Sequence, residues 1–408
     1  MAENLKFKPG KDWVWYSRAV YGKREIAAVV KSLNEDWLVP GSYSRKFEEK
    51  VTKIFGQNFG LFLNSGSSAN LLAIKVLNLP KGGEVVTPAC TFATTVNPLI
   101  SEGLKPVLVD VELDTYNTDI FLLEKAITPK TVALMIPHLV GNINDMVKLR
   151  KIADKYKLKL IEDSCDTIGA TLHGKPTGAY ADASTTSFYA SHIITAAGGG
   201  GMVMFKNKKE VELAKVYRDW GRALPEHFDE SPEKRFAFSI NDKPHDGKFV
   251  FLVQGYNLKP IDLQAAFAMV QLDRLKEFSR TRDKNFKRLY KFFSKYPDHF
   301  ILPRQLPEVK TNWLAYPVTI KKGSPIERVE LMRFLEENKI QTRVLFSGNI
   351  TRHPAYNKSE LRIFGDLKNA DYILSNSMLL GCHHGLINTH IDYMIDILKK
   401  FLKSKQIE

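Results

Sequence analysis

Between Asn58 and Phe205, short runs of apolar and β-branched residues alternate with stretches of helical pattern, and no other feature narrows the fold so far. The runs are Gly60 to Leu63, Glu84 to Val86, Pro106 to Val109, Val132 to Ile136, Leu158 to Ile161, Thr186 to Phe188 and Met202 to Phe205. Asp145 to Tyr156 is one of the helical stretches between them. Strands that alternate with helices build βαβ units, which pack as a mainly parallel sheet with helices on its faces. In such sheets ligands bind beyond the carboxyl ends of the strands. The residues that follow each strand are therefore where chemistry is sought.

A second region follows this alternation. From Asp262 to Phe293 the pattern is helical, with Leu263, Ala266, Met269, Val270, Leu272 and Leu275 on one side. Trp313 to Ile320, Glu327 to Asn338 and His390 to Leu402 then read as a smaller α/β domain. The expected division is a large domain over residues 36–275 and a small one made of residues 1–35 and 276–408.

Composition excludes several classes. With 408 residues, 44% hydrophobic and 25% charged, the chain is an ordinary globular one with room for a large and a smaller domain. Met1 to Lys6 carry charge with no apolar stretch behind them, unlike a signal peptide, and no apolar run nears the roughly 20 residues of a membrane helix. A cytoplasmic protein without a membrane partner is expected. The net charge of +14 is spread along the chain among acidic residues, which suits a solvated surface better than a nucleic-acid stripe. A local basic site for a diphosphate remains compatible with it. Cys90, Cys165 and Cys382 are too few for a four-cysteine iron–sulfur cluster, and no metal site is expected.

Three strand ends carry polar turns. Asn64-Ser65-Gly66-Ser67-Ser68-Ala69-Asn70 opens a helix over Leu71 to Leu77. Small residues there let backbone N–H groups and hydroxyls reach a phosphate, whose charge a helix N-terminus favours. A plain helix cap reads equally well. Glu162-Asp163 closes a strand, either as a carboxylate serving a ligand or as an Asp capping the next turn. Ser187 and His192 stand five residues apart, ahead of the run Gly198 to Gly201. A lone histidine is more often structural than catalytic. It nevertheless titrates near neutrality and can take or give a proton.

Taken together, these segments resemble the DegT/DnrJ/EryC1/StrS family of sugar aminotransferases, of fold type I. Within it they are most similar to the nucleotide-sugar 3-dehydratases acting on CDP- or GDP-4-keto-6-deoxyhexoses. The likeness runs from Asp36-Trp37-Leu38 through Ser65 to Leu72, Tyr217 to Arg222, Gly255 to Lys259 and Thr342 to Asn349. In most of the family a lysine stands where this chain has His192 and holds pyridoxal phosphate covalently, a linkage histidine cannot form. The resemblance implies a three-layer α/β large domain with a mainly parallel sheet, a smaller C-terminal α/β domain and a homodimer. It also implies pyridoxal 5′-phosphate or pyridoxamine 5′-phosphate bound without a covalent bond.

Position by position, the resemblance implies that Gly66 and Ser67 make the first phosphate contacts, Ser187 the second, and that Asn257 is lent to the partner subunit's phosphate site. Phe92 would stack on the pyridine ring, Asp163 would pair with its nitrogen, and His192 would be the catalytic base. Asp166 falls near the ring hydroxyl, and Lys259, Arg343 and Arg352 are candidates to hold substrate phosphates or carboxylates. The implied reaction removes the C3 hydroxyl of a nucleotide-diphosphate 4-keto-6-deoxy sugar, with glutamate as amino donor. An aminotransferase, or a catalytically idle binding relative, is the alternative. Two departures stand out. Ala223 to Glu230 contain no cysteine where the CDP-sugar enzymes carry a cluster segment, so no iron–sulfur cluster is expected. Around His192, Ile193 and Gly198 replace a histidine and a glutamate of that branch.

Overall fold

The computed structural model describes residues 7–224 and 231–407. Seven strands follow the alternation closely: β1 (Phe59–Leu63), β2 (Glu84–Pro88), β3 (Lys105–Val109), β4 (Thr131–Pro137), β5 (Lys159–Asp163), β6 (Ala183–Ser187) and β7 (Gly201–Phe205). They lie in the order β1-β7-β6-β5-β4-β2-β3 in an eight-stranded sheet, whose last strand, Arg362–Ile363, joins beside β3. β7 runs antiparallel to both neighbours, and the remaining pairs are parallel. The carboxyl ends of β1 to β6 consequently open along one edge.

Both faces of the sheet are covered, as strands apolar on both sides require. Val85, Ala133, Met135 and Ile161 pack on one side with Leu72 and Ile74. Val86, Leu134, Ile136 and Leu160 pack on the other with Leu149 and Ala153. Successive strand residues point to opposite faces, so adjacent residues feed two separate helical layers. The result is a three-layer α/β unit.

The second region holds an antiparallel sheet in the order Phe300–Ile301, Tyr316–Ile320, Ser377–Leu380, Thr342–Val344, backed by helices Arg328–Glu337 and Asn388–Ser404. The expected connector is two helices, Asp262–Asp273 and Leu275–Phe293, joined at Arg274. The N-terminal stretch divides its contacts between the two regions. Val14 pairs through its backbone with Lys339 and Gln341 in the second region. Helix α1 (Lys23–Leu33) instead packs, with α2 (Ser42–Ile54), on Asp262–Asp273, where the Glu25 carboxylate accepts from Gln271 Nε2 at 2.7 Å and Arg274 Nη1 at 3.1 Å. Met1 to Lys6 and residues 225–230 of the cysteine-free segment lie outside the described residues. Among the described residues no helix is long and apolar enough to cross a membrane.

Candidate active site

A pocket of about 600 Å³ opens at the carboxyl edge of the large sheet, within the usual size range of ligand sites. Gly66, Ser67, Phe92, Asp163, Asp166, Ser187 and His192 all line it. They arrive from four places: the start of the helix after β1, the turn before the helix Ala93–Ser101, the end of β5 and the end of β6 with its loop. After β1 the chain turns through Ser65, whose hydroxyl accepts from Ser68 N at 3.1 Å and so caps helix α3 (Gly66–Val76). That helix aims its N-terminus at the pocket. A Cβ on Gly66 would lie 2.6 Å from Ser187 Cβ, so only glycine lets the helix start and the end of β6 approach this closely.

Asp163 ends β5 and is 7% exposed. Its Oδ2 accepts from Asn70 Nδ2 at 2.8 Å and Thr95 Oγ1 at 2.9 Å, and its Oδ1 from Cys165 N at 3.3 Å. Thr185 in turn donates to Asn70 Oδ1 at 2.6 Å, fixing which way that amide faces. Three donors thus hold one carboxylate in one orientation at the pocket floor. Glu162, its chain neighbour, is not in the lining: its Oε1 is met by His138 Nε2 at 2.9 Å, Ser164 Oγ at 2.7 Å and Gly178 N at 2.7 Å. Strand alternation separates the two acids.

His192 sits on the loop between β6 and β7. The turn is closed by His192 N donating to the Tyr189 carbonyl at 3.0 Å, and Thr195 Oγ1 donates to the Phe188 carbonyl at 2.9 Å. The return to β7 uses Gly200 at φ 119°, a conformation side-chain-bearing residues rarely adopt. A Cβ on Gly201 would lie 2.2 Å from the Ser65 carbonyl carbon, so the glycine run also lets β7 lie against the α3 turn. His192 Nδ1 lies 3.3 Å from Asp166 Oδ1, within ion-pair distance but outside hydrogen-bond alignment. Tyr189 stands edge-on to its ring, with centroids 6.5 Å apart.

Phe92 precedes helix α4 (Ala93–Ser101), is 54% exposed and lies edge-on to Phe346 at 6.3 Å. It offers an aromatic face at the pocket mouth.

The other four candidates lie outside the lining. Asn257 pairs across an isolated bridge with Asp219. Lys259 Nζ is 2.6 Å from Asp219 Oδ1 and 3.8 Å above the Trp220 ring. Burial pulls the Lys259 ammonium below its usual range, with Asp219 opposing. Arg343 is exposed, its guanidinium 5.8 Å from the ring of Tyr16, which does line the pocket. Arg352 makes a two-pronged pair with Asp371 at 2.8 and 2.7 Å, which raises the pKa of the guanidinium and occupies its fork.

Tyr16, His138, Cys165, Tyr189, Leu314 and Phe346 also line the pocket, and sequence reasoning had not selected them. His138 follows β4 and could have been found by the strand-end rule alone. Burial drives the Cys165 thiol well above its usual range, with Asp163 adding to the effect. Tyr16 comes from the N-terminal stretch, which carries no such positional signal. Among the described residues no cluster of histidine, cysteine and acidic side chains could hold a metal ion.

The chain is similar to known proteins over nearly its whole length. The model of the DegT/DnrJ/EryC1/StrS aminotransferase family matches residues 20–399. The lipopolysaccharide biosynthesis protein RfbH of Salmonella typhimurium is 39% identical, over 97% of this chain and 93% of its own. The dTDP-4-dehydro-2,6-dideoxy-D-glucose 3-dehydratase of Saccharopolyspora spinosa is 37% identical, over 98% of this chain and 89% of its own. Among solved structures, the E. coli GDP-4-keto-6-deoxy-D-mannose-3-dehydratase with bound hydrated PLP has a TM-score of 0.86 at 27% identity, covering 95% of this chain and 100% of its own. The fold is that of the fold type I aminotransferase-like enzymes.

Proposed function

The chain belongs to the DegT/DnrJ/EryC1/StrS aminotransferase family, and from that premise we propose that it is a nucleotide-sugar 3-dehydratase. It uses pyridoxamine 5′-phosphate, held without a covalent bond, to remove the C3 hydroxyl of a nucleotide-diphosphate 4-keto-6-deoxyhexose. The observation that carries this reading is the histidine at position 192, in the pocket beside Asp166, where the family's covalent anchor is a lysine. Two of the relatives compared above are named as 3-dehydratases, which supports the sugar chemistry.

The pocket residues fit the cofactor. The gap kept open by Gly66, the N-terminus of α3, and the hydroxyls of Ser67 and Ser187 form a cradle for a phosphate. Phe92 offers a face for the ring and Asp163 a fixed negative charge for its nitrogen. When bound, the cofactor supplies an electron-accepting ring that stabilises negative charge on the carbon joined to its amine. Asp163, held in one orientation by Asn70 and Thr95, would strengthen that pull from beside the ring nitrogen. With Asp166 beside Nδ1, Nε2 of His192 is the ring nitrogen left to accept a proton from the substrate side. The same nitrogen can hand the proton to the departing C3 oxygen, which leaves as water. In the net reaction the sugar gives up one oxygen atom, the amino carbon of glutamate becomes a ketone, and its nitrogen leaves as ammonia. Asn257 and Lys259, outside the pocket of their own chain, would serve the partner subunit's site in a cytoplasmic homodimer.

Incubating the protein with pyridoxal phosphate, glutamate and CDP-, GDP- or dTDP-linked 4-keto-6-deoxy sugars should give a product lighter by one oxygen, with ammonia released. Mass spectrometry reads the product, and a sugar carrying an amine in place of its ketone would make the protein an aminotransferase instead. Gly66→Ala should weaken pyridoxal phosphate binding by at least about tenfold, since the new methyl meets Ser187 and blunts the approach to the helix N-terminus. Titration by visible absorbance measures this, and wild-type affinity would move the phosphate elsewhere.

A further inference from the structure

Arg282, on the helix Leu275–Phe293, is 1% exposed. A guanidinium is costly to bury, and a carboxylate usually balances it. Here its hydrogen bonds go to neutral acceptors instead. Nη1 donates to the carbonyls of Trp313 at 3.0 Å and Leu314 at 3.1 Å, Nε to His384 Nδ1 at 3.2 Å, and Nη2 to the carbonyl of His192 at 3.4 Å. His384 is kept neutral by burial and by Arg282 itself, and its ring is stacked 3.8 Å from that of Phe278, so its Nδ1 is a fixed acceptor. One side chain thereby joins the long helix, two second-region segments and the loop that bears His192. Among the described residues Arg282 is the donor to the His192 carbonyl, while the only other backbone tie of that residue is its N–H to Tyr189. Leu314, held by the same guanidinium, lines the pocket too.

We propose that Arg282 is a positioning residue for the dehydration: it fixes the backbone at His192 so that the imidazole stays beside Asp166 and faces the pocket. The proposal rests on His192 being the proton-transfer group. A planar fork of donors suits the task, because it spans carbonyls on separate segments at once with its donors in fixed directions. A small displacement of a proton-transfer group has a large kinetic cost, about 10²-fold for a shift near 1 Å.

The test compares Arg282→Met, which fills the space without charge or donors, with Arg282→Lys, which keeps the charge but not the fork. In a folded Arg282→Met protein kcat should fall by about 10²-fold, with sugar KM and cofactor affinity within about threefold of wild type. Arg282→Lys should recover part of that loss. The ¹⁵N signals of the His192 imidazole, assigned by their absence in His192→Asn, should shift in both variants. A lowered Tm with wild-type kcat and unmoved His192 signals would reduce Arg282 to a structural role and overturn the proposal. If Arg282→Met fails to fold, the lysine variant decides by the same criteria. Full activity in His192→Asn would instead refute the role of His192, and the imidazole signals would still report whether Arg282 holds the loop.

Discussion

His192→Asn should lower the rate of C3 dehydration by about 10²- to 10⁴-fold, the range attributed to a positioned general base. Asparagine is close to histidine in shape and can still meet Asp166, but it cannot take up a proton near neutral pH. The phosphate cradle at Gly66, Ser67 and Ser187 and the ring contacts at Phe92 and Asp163 are untouched, so pyridoxal phosphate should bind with wild-type affinity. Cofactor titration by absorbance and single-turnover product formation separate the two effects. Near-normal turnover with bound cofactor would remove His192 from the proton path and direct attention to Tyr189, which lines the same pocket edge-on to the imidazole.

Asp163→Asn should be comparably damaging, with a loss of turnover on the order of 10³-fold, like that from removing a preorganised charge from other active sites. The substitution preserves volume and leaves an oxygen to accept from Thr95 or Asn70, so the fold should survive. What disappears is the negative charge that keeps the cofactor ring an electron acceptor. Asp163→Ala is the poorer probe. It would strand the buried donors of Asn70 and Thr95, at about 1–3 kcal/mol for each unsatisfied group, and mix instability with lost chemistry. Stopped-flow spectra and circular dichroism on Asp163→Asn distinguish an intact inactive site from an unfolded one. A folded variant with more than a tenth of wild-type turnover would contradict the assigned role.

Much of the pocket is legible in the sequence, because strand-end positions are a local property. An apolar run that stops at a polar turn marks the edge of the sheet: Gly66 and Asp163 stand just beyond such a stop, Ser187 at the end of a run and His192 in the loop after it. His138 shows that the same rule could have been pressed further. Lys259 and Arg352 show its limit. Charge alone singles them out, and the sequence does not show that Asp219 and Asp371, 40 and 19 residues away, pair with them. Ion pairing between distant segments leaves no periodic trace in a sequence.

The alternation of strands and helices, the mainly parallel sense of the large sheet, the opposite facing of Glu162 and Asp163, and a histidine where the family's lysine is expected can all be read along the chain. These follow from local rules of period, turn chemistry and side-chain identity. Long-range packing alone brings Tyr16 to the pocket and a buried arginine from the second region to the His192 loop. Those outcomes depend on which remote surfaces meet when the two regions pack. That is settled by burial and hydrogen-bond satisfaction across the whole molecule, and no stretch of sequence encodes it alone.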